Sequence, residues 1–137
     1  MNYWLVKSEP SVWSFNDQKK SGSKGTVWDG VRNYQAANYL KQMKSGDLCF
    51  FYHSNEDKKI IGIVKIIKPA FIDPTDKEKK FVAVKVAYYK DLIDPVSLAN
   101  IKENEEICHL PLIKQSRLSV MPIDSKSWKI ICKMGRI

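Results

Sequence analysis

The sequence is poor in the residues that build disulfide frameworks, metal sites and membrane spans. It contains three cysteines and two histidines among 137 residues. Cys49, Cys108 and Cys132 are odd in number, widely spaced and form no Cys-x-x-Cys pair, which argues against a disulfide framework and a zinc knuckle and indicates a reducing compartment. The N-terminus lacks the apolar run of a signal peptide, and the apolar stretch 60–67 is interrupted by Lys65 and too short to span a bilayer. We therefore expect a cytoplasmic protein without metal, cofactor or membrane association.

Glycine and proline are also scarce. Six residues of each type are too few for a fibrous or disordered chain. No internal repeat and no flexible linker divides the sequence, and its length is typical of one domain with its own core. We expect a single domain over residues 1–137 that is a monomer.

Positive charge is abundant but unevenly distributed. The chain carries 23 Lys and Arg against 15 Asp and Glu, a net charge of +8. Residues 1–55 have seven basic and four acidic groups, residues 56–109 have ten of each, and residues 110–137 have six and one. If the first and last stretches meet in the fold, they form a basic face, which favours nucleic acid or another anionic partner.

The order of hydrophobic patterns and breakers predicts an α+β fold with a mixed or largely antiparallel sheet. The expected strands are Tyr3–Ser8, Thr26–Trp28, Leu48–His53, 60–68, a valine-rich strand at 82–87, and 117–121. The expected helices are 33–44, which Asn33 caps, a short helix at 95–101, and a final helix from Asp124 through Met134.

The segment Trp28-Asp29-Gly30-Val31-Arg32-Asn33 holds the most informative chemistry. It places an aromatic ring, a carboxylate, a base and an amide where a strand turns into a helix. Such a set suits a flat heterocycle with polar edges, because an aromatic face stacks the ring and a carboxylate accepts from an exocyclic amine. A base of a duplex has to be flipped out to enter such a site.

Two other functions remain open at this point. Glu9 and Asp29 are carboxylates at strand ends and are candidates for general acid or base in an enzyme acting on a modified nucleotide. The other alternative is a sensor of a small molecule or nucleoside, or a protein-interaction module. His53 and Ser54 cannot act together as base and nucleophile, because adjacent strand residues point to opposite faces.

Five motifs in register resemble the EVE domain, the domain of the thymocyte nuclear protein family. The motifs cover essentially the whole chain and are Tyr3-Trp4-Leu5-Val6-Lys7-Ser8-Glu9-Pro10, Trp28 to Ala36, Met43-Lys44-Ser45-Gly46-Asp47, Phe51-Tyr52-His53-Ser54 and Arg117-Leu118-Ser119-Val120. The resemblance implies a PUA-like fold, a curled mixed sheet or pseudo-barrel of five or six strands flanked by short helices, related to the ASCH and YTH domains. It also implies a non-enzymatic reader of a modified base, notably a 5-substituted cytosine, in DNA or RNA.

The resemblance also assigns candidate site residues. The expected base pocket consists of Lys7, Ser8, Glu9, Trp28, Asp29, Val31, Asn33, Tyr52, His53 and Ser54. The expected contacts to phosphate are Lys7, Lys24, Arg32, Arg117 and Ser119. A structural role is the alternative for three of them, with Asn33 as helix cap, Arg117 as partner of a carboxylate and His53 as a buried hydrogen-bonding group.

Three positions depart from the pattern of the family. Relatives often carry Arg, Trp and Gln where this chain has Ala37, Phe81 and Met121. The missing basic group at position 37 is expected to weaken one contact to phosphate.

Overall fold

The computed structural model describes all residues 1–137 and contains one mixed sheet of six strands. The strands are β1 Tyr3–Ser8, β2 Thr26–Trp28, β3 Leu48–His53, β4 Lys59–Ile72, β5 Val82–Ser97 and β6 Val120–Ile123. Their order across the sheet is β2-β5-β4-β3-β1-β6. The predicted α+β architecture is confirmed. The sheet has β2 and β6 at its two edges and is not closed into a barrel.

The first and last parts of the chain meet on β1. This strand pairs in parallel with β3, Tyr3 opposite Leu48 and Ser8 opposite His53, and antiparallel with β6 on its other side. Beyond β6, the Lys7 amide still donates to the Ser119 carbonyl at 3.0 Å. The N-terminal and C-terminal stretches therefore come together, as the basic face expected from the charge distribution requires.

The long β4–β5 hairpin bends because its register shifts at several points. One shift lies between Ile60 and Gly62, where a side chain would collide with the ring of Phe15 from the first helix. Glycine thus permits the close approach of the Phe15 ring to the strand. The far end of the hairpin carries the loop 73–81, which reaches the candidate site described below.

Five α-helices and one 3-10 helix flank the sheet. They are α1 Phe15–Lys20, the 3-10 helix Gly22–Lys24, α2 Tyr34–Gln42, α3 Leu98–Glu103, α4 Pro111–Lys114 and α5 Ser125–Met134. Side chains of Ser14, Asn33, Ser97 and Asp124 accept from backbone amides at four of the helix N-termini. The predicted caps Asn33 and Asp124 are confirmed.

Two predicted elements were placed wrongly. The expected helix at 95–101 begins at Leu98, because β5 continues through Pro95 and pairs Val96 with Ile60 of β4. The expected strand at 117–121 begins at Val120, because the backbone turns after α4 and the Leu118 amide donates to the Gln115 carbonyl at 3.0 Å. In both cases pairing between distant segments decides the boundary, and local propensity does not.

The core lies between the sheet and the helices and contains 31 buried hydrophobic residues. Phe50 of β3 stacks on Trp128 of α5, with ring centroids 3.9 Å apart.

No helix has the length and apolar character needed to cross a bilayer. No group of three or more His, Cys, Asp or Glu side chains is arranged to hold a metal ion.

Candidate functional site

The ends of β1 and β2 open into a cavity of about 690 Å³. The loop 29–33 between β2 and α2 completes its wall. Its lining combines two tryptophans, two carboxylates, two cationic side chains and smaller groups: Lys7, Ser8, Glu9, Val12, Trp13, Thr26, Val27, Trp28, Asp29, Gly30, Val31, Arg32, Asn33 and Ser119. Nine of these residues were predicted from the sequence as site residues.

The end of β1 is tied to the turn that follows it. The Ser8 hydroxyl donates to the Trp13 carbonyl at 2.6 Å, and the Trp13 amide donates to the Glu9 carbonyl at 2.9 Å. The Trp13 indole Nε1 in turn donates to Gln18 Oε1 at 2.9 Å. Three hydrogen bonds therefore fix the position of Trp13 on the wall of the cavity.

Trp28 forms another part of the wall at the end of β2. It is 8% exposed, and its ring stands edge-on to Phe51 with centroids 5.5 Å apart and an angle of 86° between the planes. Most of the ring therefore packs in the core, and a small part faces the cavity. The carboxylates of Glu9 and Asp29, in contrast, are exposed and take part in no ion pair.

Asp73, at the end of the β4–β5 hairpin, anchors the cavity loop. Its buried carboxylate accepts from the Gly30 amide at 2.8 Å and from Arg32 Nη1 at 3.0 Å. Its other oxygen accepts from the Thr75 amide and hydroxyl, both at 2.7 Å. Burial alone would raise the pKa of Asp73, but these hydrogen bonds lower it to about 2. Gly30 has φ +80, a left-handed conformation that glycine adopts without strain.

The predicted phosphate contacts occupy different surroundings. Lys7 lines the cavity and donates to the Ser116 carbonyl at 2.9 Å, and burial lowers the pKa of its ammonium group. Arg32 and Ser119 also line the cavity, although the charge of Arg32 is paired with Asp73. Lys24 lies on the 3-10 helix and does not line the cavity.

Arg117 lies in a neighbouring groove of about 320 Å³. The groove also contains Lys114 and shares Asn33 with the cavity. Arg117 is exposed, and its guanidinium makes no ion pair with a carboxylate. It therefore does not take the structural role that the sequence left open for it.

Tyr52, His53 and Ser54 do not line the cavity. His53 is buried, and its Nε2 accepts from the Phe15 amide at 3.0 Å while its Nδ1 lies 3.0 Å from Asp57. These contacts match the structural alternative for His53, a buried hydrogen-bonding group. Asn33 combines both roles, because it caps α2 and also lines the cavity.

Sequence reasoning missed five lining residues, namely Val12, Trp13, Thr26, Val27 and Gly30. Trp13 belongs to the aromatic-rich N-terminal segment, but the turn that directs it to the cavity depends on the Ser8 hydrogen bond. The departure at Ala37 falls on a buried face of α2, since Ala37 is 3% exposed. Position 37 therefore lies on the packed side of the helix and lines neither the cavity nor the groove around Arg117.

The family model of the EVE domain matches residues 2–134, and the chain belongs to the EVE domain family. Thymocyte nuclear protein 1 from Rattus norvegicus is 33% identical over 97% of this chain and 73% of its own length. The predicted family is thereby confirmed.

Solved structures share the fold. An NMR structure of a Rhodopseudomonas palustris protein has a TM-score of 0.95 and 48% identity, covering 99% of this chain and 94% of that chain. Human thymocyte nuclear protein 1 in complex with DNA containing 5-methylcytosine has a TM-score of 0.90 and 31% identity, covering 100% and 99%. A YTH domain from Zygosaccharomyces rouxii, at 16% identity and a TM-score of 0.60, shares the fold. The predicted PUA-like fold is confirmed.

Proposed function

We propose that this protein is a non-enzymatic reader that accepts one modified base of a nucleic acid, a 5-substituted cytosine, in the cavity between β1 and β2. The observation that carries the proposal is the human relative, which has the same fold over the whole chain and was solved with DNA containing 5-methylcytosine. The following features of this chain support it.

The cavity has the size and the aromatic lining that a single base needs. Its volume of about 690 Å³ lies within the range of about 300–1,000 Å³ typical of small-ligand sites. Trp13 and Trp28 both contribute to the wall, and stacking of a base on an aromatic ring contributes about 1–3 kcal/mol. A base stacked inside a duplex does not reach these rings, so the reader acts on a flipped or single-stranded base.

Glu9 and Asp29 provide acceptors for the edge of the base. The exocyclic amine of cytosine is a donor, which Glu and Asp side chains accept. Both carboxylates line the cavity and are free of ion pairs, so they are available to a ligand. Three valines, Val12, Val27 and Val31, offer apolar contact to a 5-methyl group. Burying one methyl group contributes about 0.8 kcal/mol, or about fourfold in affinity over unmodified cytosine.

Cationic side chains beside the cavity suit the phosphates on either side of the bound base. Lys7 lies on the cavity wall, and Lys114 and Arg117 lie in the adjoining groove. Each ion pair with a phosphate releases counterions, so binding weakens as salt increases.

The experiment is a titration of short oligonucleotides that carry one 5-methylcytosine or one cytosine. We expect the wild-type protein to prefer the modified strand. The double variant Glu9→Gln/Asp29→Asn is expected to lose about tenfold or more in affinity, because each hydrogen bond to a charged group contributes about 1.5–3 kcal/mol. Glu105→Gln is the matched control, since Glu105 is exposed and does not line the cavity.

The same titration separates the alternatives. An unchanged affinity of the double variant would show that the carboxylates do not read the base, and absence of any preference for the modified strand would refute the reader. The enzyme hypothesis requires that the base be chemically altered after incubation, whereas a reader returns it intact.

The contacts to phosphate are tested by the salt dependence of the affinity. Arg117→Gln should flatten the slope of log K against log salt by about 0.7–0.9, while Arg136→Gln, whose partner is Asp94, should not.

A further inference from the structure

An exposed aromatic surface lies immediately beside the cavity and is not explained by the contacts described so far. Tyr34, the first residue of α2, is 67% exposed, although it directly follows the cavity residue Asn33. Its ring lies 5.0 Å from the ring of Phe81, at an angle of 31° between the planes. The guanidinium carbon of Arg32 lies 5.5 Å from the centre of the same Phe81 ring. We call these three side chains the Tyr34–Phe81–Arg32 platform.

Hydrogen bonds hold the platform in place from behind. Arg32 Nη1 donates to Asp73 at 3.0 Å, and Nη2 donates to the Thr75 hydroxyl at 2.9 Å. The backbone of Phe81 is fixed on both sides, since its amide donates to Asp76 Oδ2 at 2.8 Å and its carbonyl accepts from the Asp73 amide at 3.0 Å. A ligand that stacks here therefore meets a preorganised surface and loses little affinity to ordering it.

The helix itself does not require a large aromatic residue at position 34. Asn33 provides its cap, and Ala36, Ala37 and Leu40 provide its buried face. The Tyr34 hydroxyl forms no hydrogen bond within the protein, so the side chain packs on Phe81 and otherwise faces solvent. Leaving most of a large aromatic ring exposed beside a cavity is a frequent feature of binding surfaces.

We propose that the Tyr34–Phe81–Arg32 platform is a second nucleotide subsite, which stacks the base adjacent to the one in the cavity within the same strand. This inference rests on the proposed function. Aromatic rings and the planar guanidinium of arginine are the groups on which unpaired bases stack. The pairing of Arg32 with Asp73 leaves this role intact, because stacking uses the flat face of the guanidinium while its edge donates to the carboxylate.

The platform is also continuous with the cavity. Arg32 belongs to both, and Tyr34 follows Asn33, which lines the cavity. A neighbouring nucleotide therefore reaches the platform without a long detour of the sugar-phosphate backbone.

The test compares three ligands by NMR titration or calorimetry. They are 5-methyl-2′-deoxycytidine, a trinucleotide with 5-methylcytosine at its centre, and the same trinucleotide with abasic sites on both sides. Wild-type protein is expected to bind the intact trinucleotide about 5- to 150-fold more tightly than the abasic one, the gain that stacking of one base gives.

The variants assign this gain to the platform. Tyr34→Ala should remove it and leave the affinity for the free nucleoside unchanged, whereas Tyr34→Phe should keep it. Tyr89→Ala is the matched control, because Tyr89 is 50% exposed and does not line the cavity. Circular dichroism melts establish that each variant is folded at the titration temperature.

Every outcome decides between the two proposals. If wild-type protein binds the nucleoside but gains nothing from the neighbouring bases, or if Tyr34→Ala weakens nucleoside and trinucleotide equally, the second subsite is refuted and the reader stands. If wild-type protein binds none of the three ligands, the reader is refuted and the second subsite with it.

Discussion

Replacing Asp73 with asparagine tests how the cavity loop is held. The carboxylate has no exposed surface and accepts four hydrogen bonds, from the Gly30 amide, from Arg32 Nη1, and from the amide and hydroxyl of Thr75. An asparagine side chain keeps the shape but has a single acceptor oxygen, and its amide group faces donors on the other side. Asp73→Asn therefore leaves buried donors without acceptors and Arg32 without its ion pair.

The magnitude follows from the pKa. The pKa of Asp73 falls from the ordinary 3.8 to about 2 in the folded protein. At 1.36 kcal/mol for each pH unit, this difference contributes about 2 kcal/mol to the free energy of unfolding at pH 7. Since the folded-state pKa is the lower one, the contribution is fully present above pH 4 and is lost as the pH falls from about 4 to about 2.

Urea titrations at several pH values measure the effect. We expect Asp73→Asn to lower the free energy of unfolding by about 2 kcal/mol or more at pH 7, and the gap to wild type to shrink as the pH approaches 2. Asp94→Asn is the matched control, because Asp94 is exposed and its pair with Arg136 is worth about 0–1 kcal/mol. A loss at pH 7 no larger than that of the control, or a gap that stays constant between pH 5 and pH 2, would refute the reasoning.

Two further predictions concern the core and the cysteines. Gly62→Ala should lower the free energy of unfolding by about 1–3 kcal/mol in urea titrations, because the added methyl group meets the Phe15 ring and the Lys90 carbonyl; stability equal to wild type would contradict the packing described. Burial raises the pKa of the Cys49 thiol, so in native protein iodoacetamide should label Cys108 well before Cys49 when the products are mapped by mass spectrometry. Equal labelling of both cysteines would show that β3 opens readily.

Local sequence signals were sufficient for much of the scaffold around the site. β1, β2 and β3 were predicted with the bounds that the structure has, and Pro10 marks the end of the first extended segment. Asn33 and Asp124 were predicted as caps because short polar side chains satisfy the first amides of a helix. Nine lining residues followed from the motifs that flank these elements.

Features that depend on distant contacts could not be read from the sequence. Asp73 is separated from Gly30 by 43 residues, and its role depends on how the bent β4–β5 hairpin returns to the cavity loop. Pro95 resembled the first residue of a helix, but pairing with β4 keeps it in a strand. His53 was predicted as a site residue because the resemblance to the EVE domain assigns its motif to the base pocket, but its side chain is directed to Phe15 and Asp57.

Several expectations stay predictions. They are the monomeric state, the cytoplasmic location, and the choice between DNA and RNA. The identity of the modification belongs to the proposed function. Oligonucleotides that differ in the sugar test the choice between DNA and RNA. Oligonucleotides that differ in the 5-substituent test the identity of the modification.

The most direct test of the central claim is a structure of this protein with an oligonucleotide that carries one 5-methylcytosine. We predict that the modified base is flipped out of the strand into the cavity, against Trp13 and Trp28, with its exocyclic amine within hydrogen-bonding distance of Glu9 or Asp29. A complex in which the modified base remains stacked in the nucleic acid, or binds to a surface outside the cavity, would contradict the account.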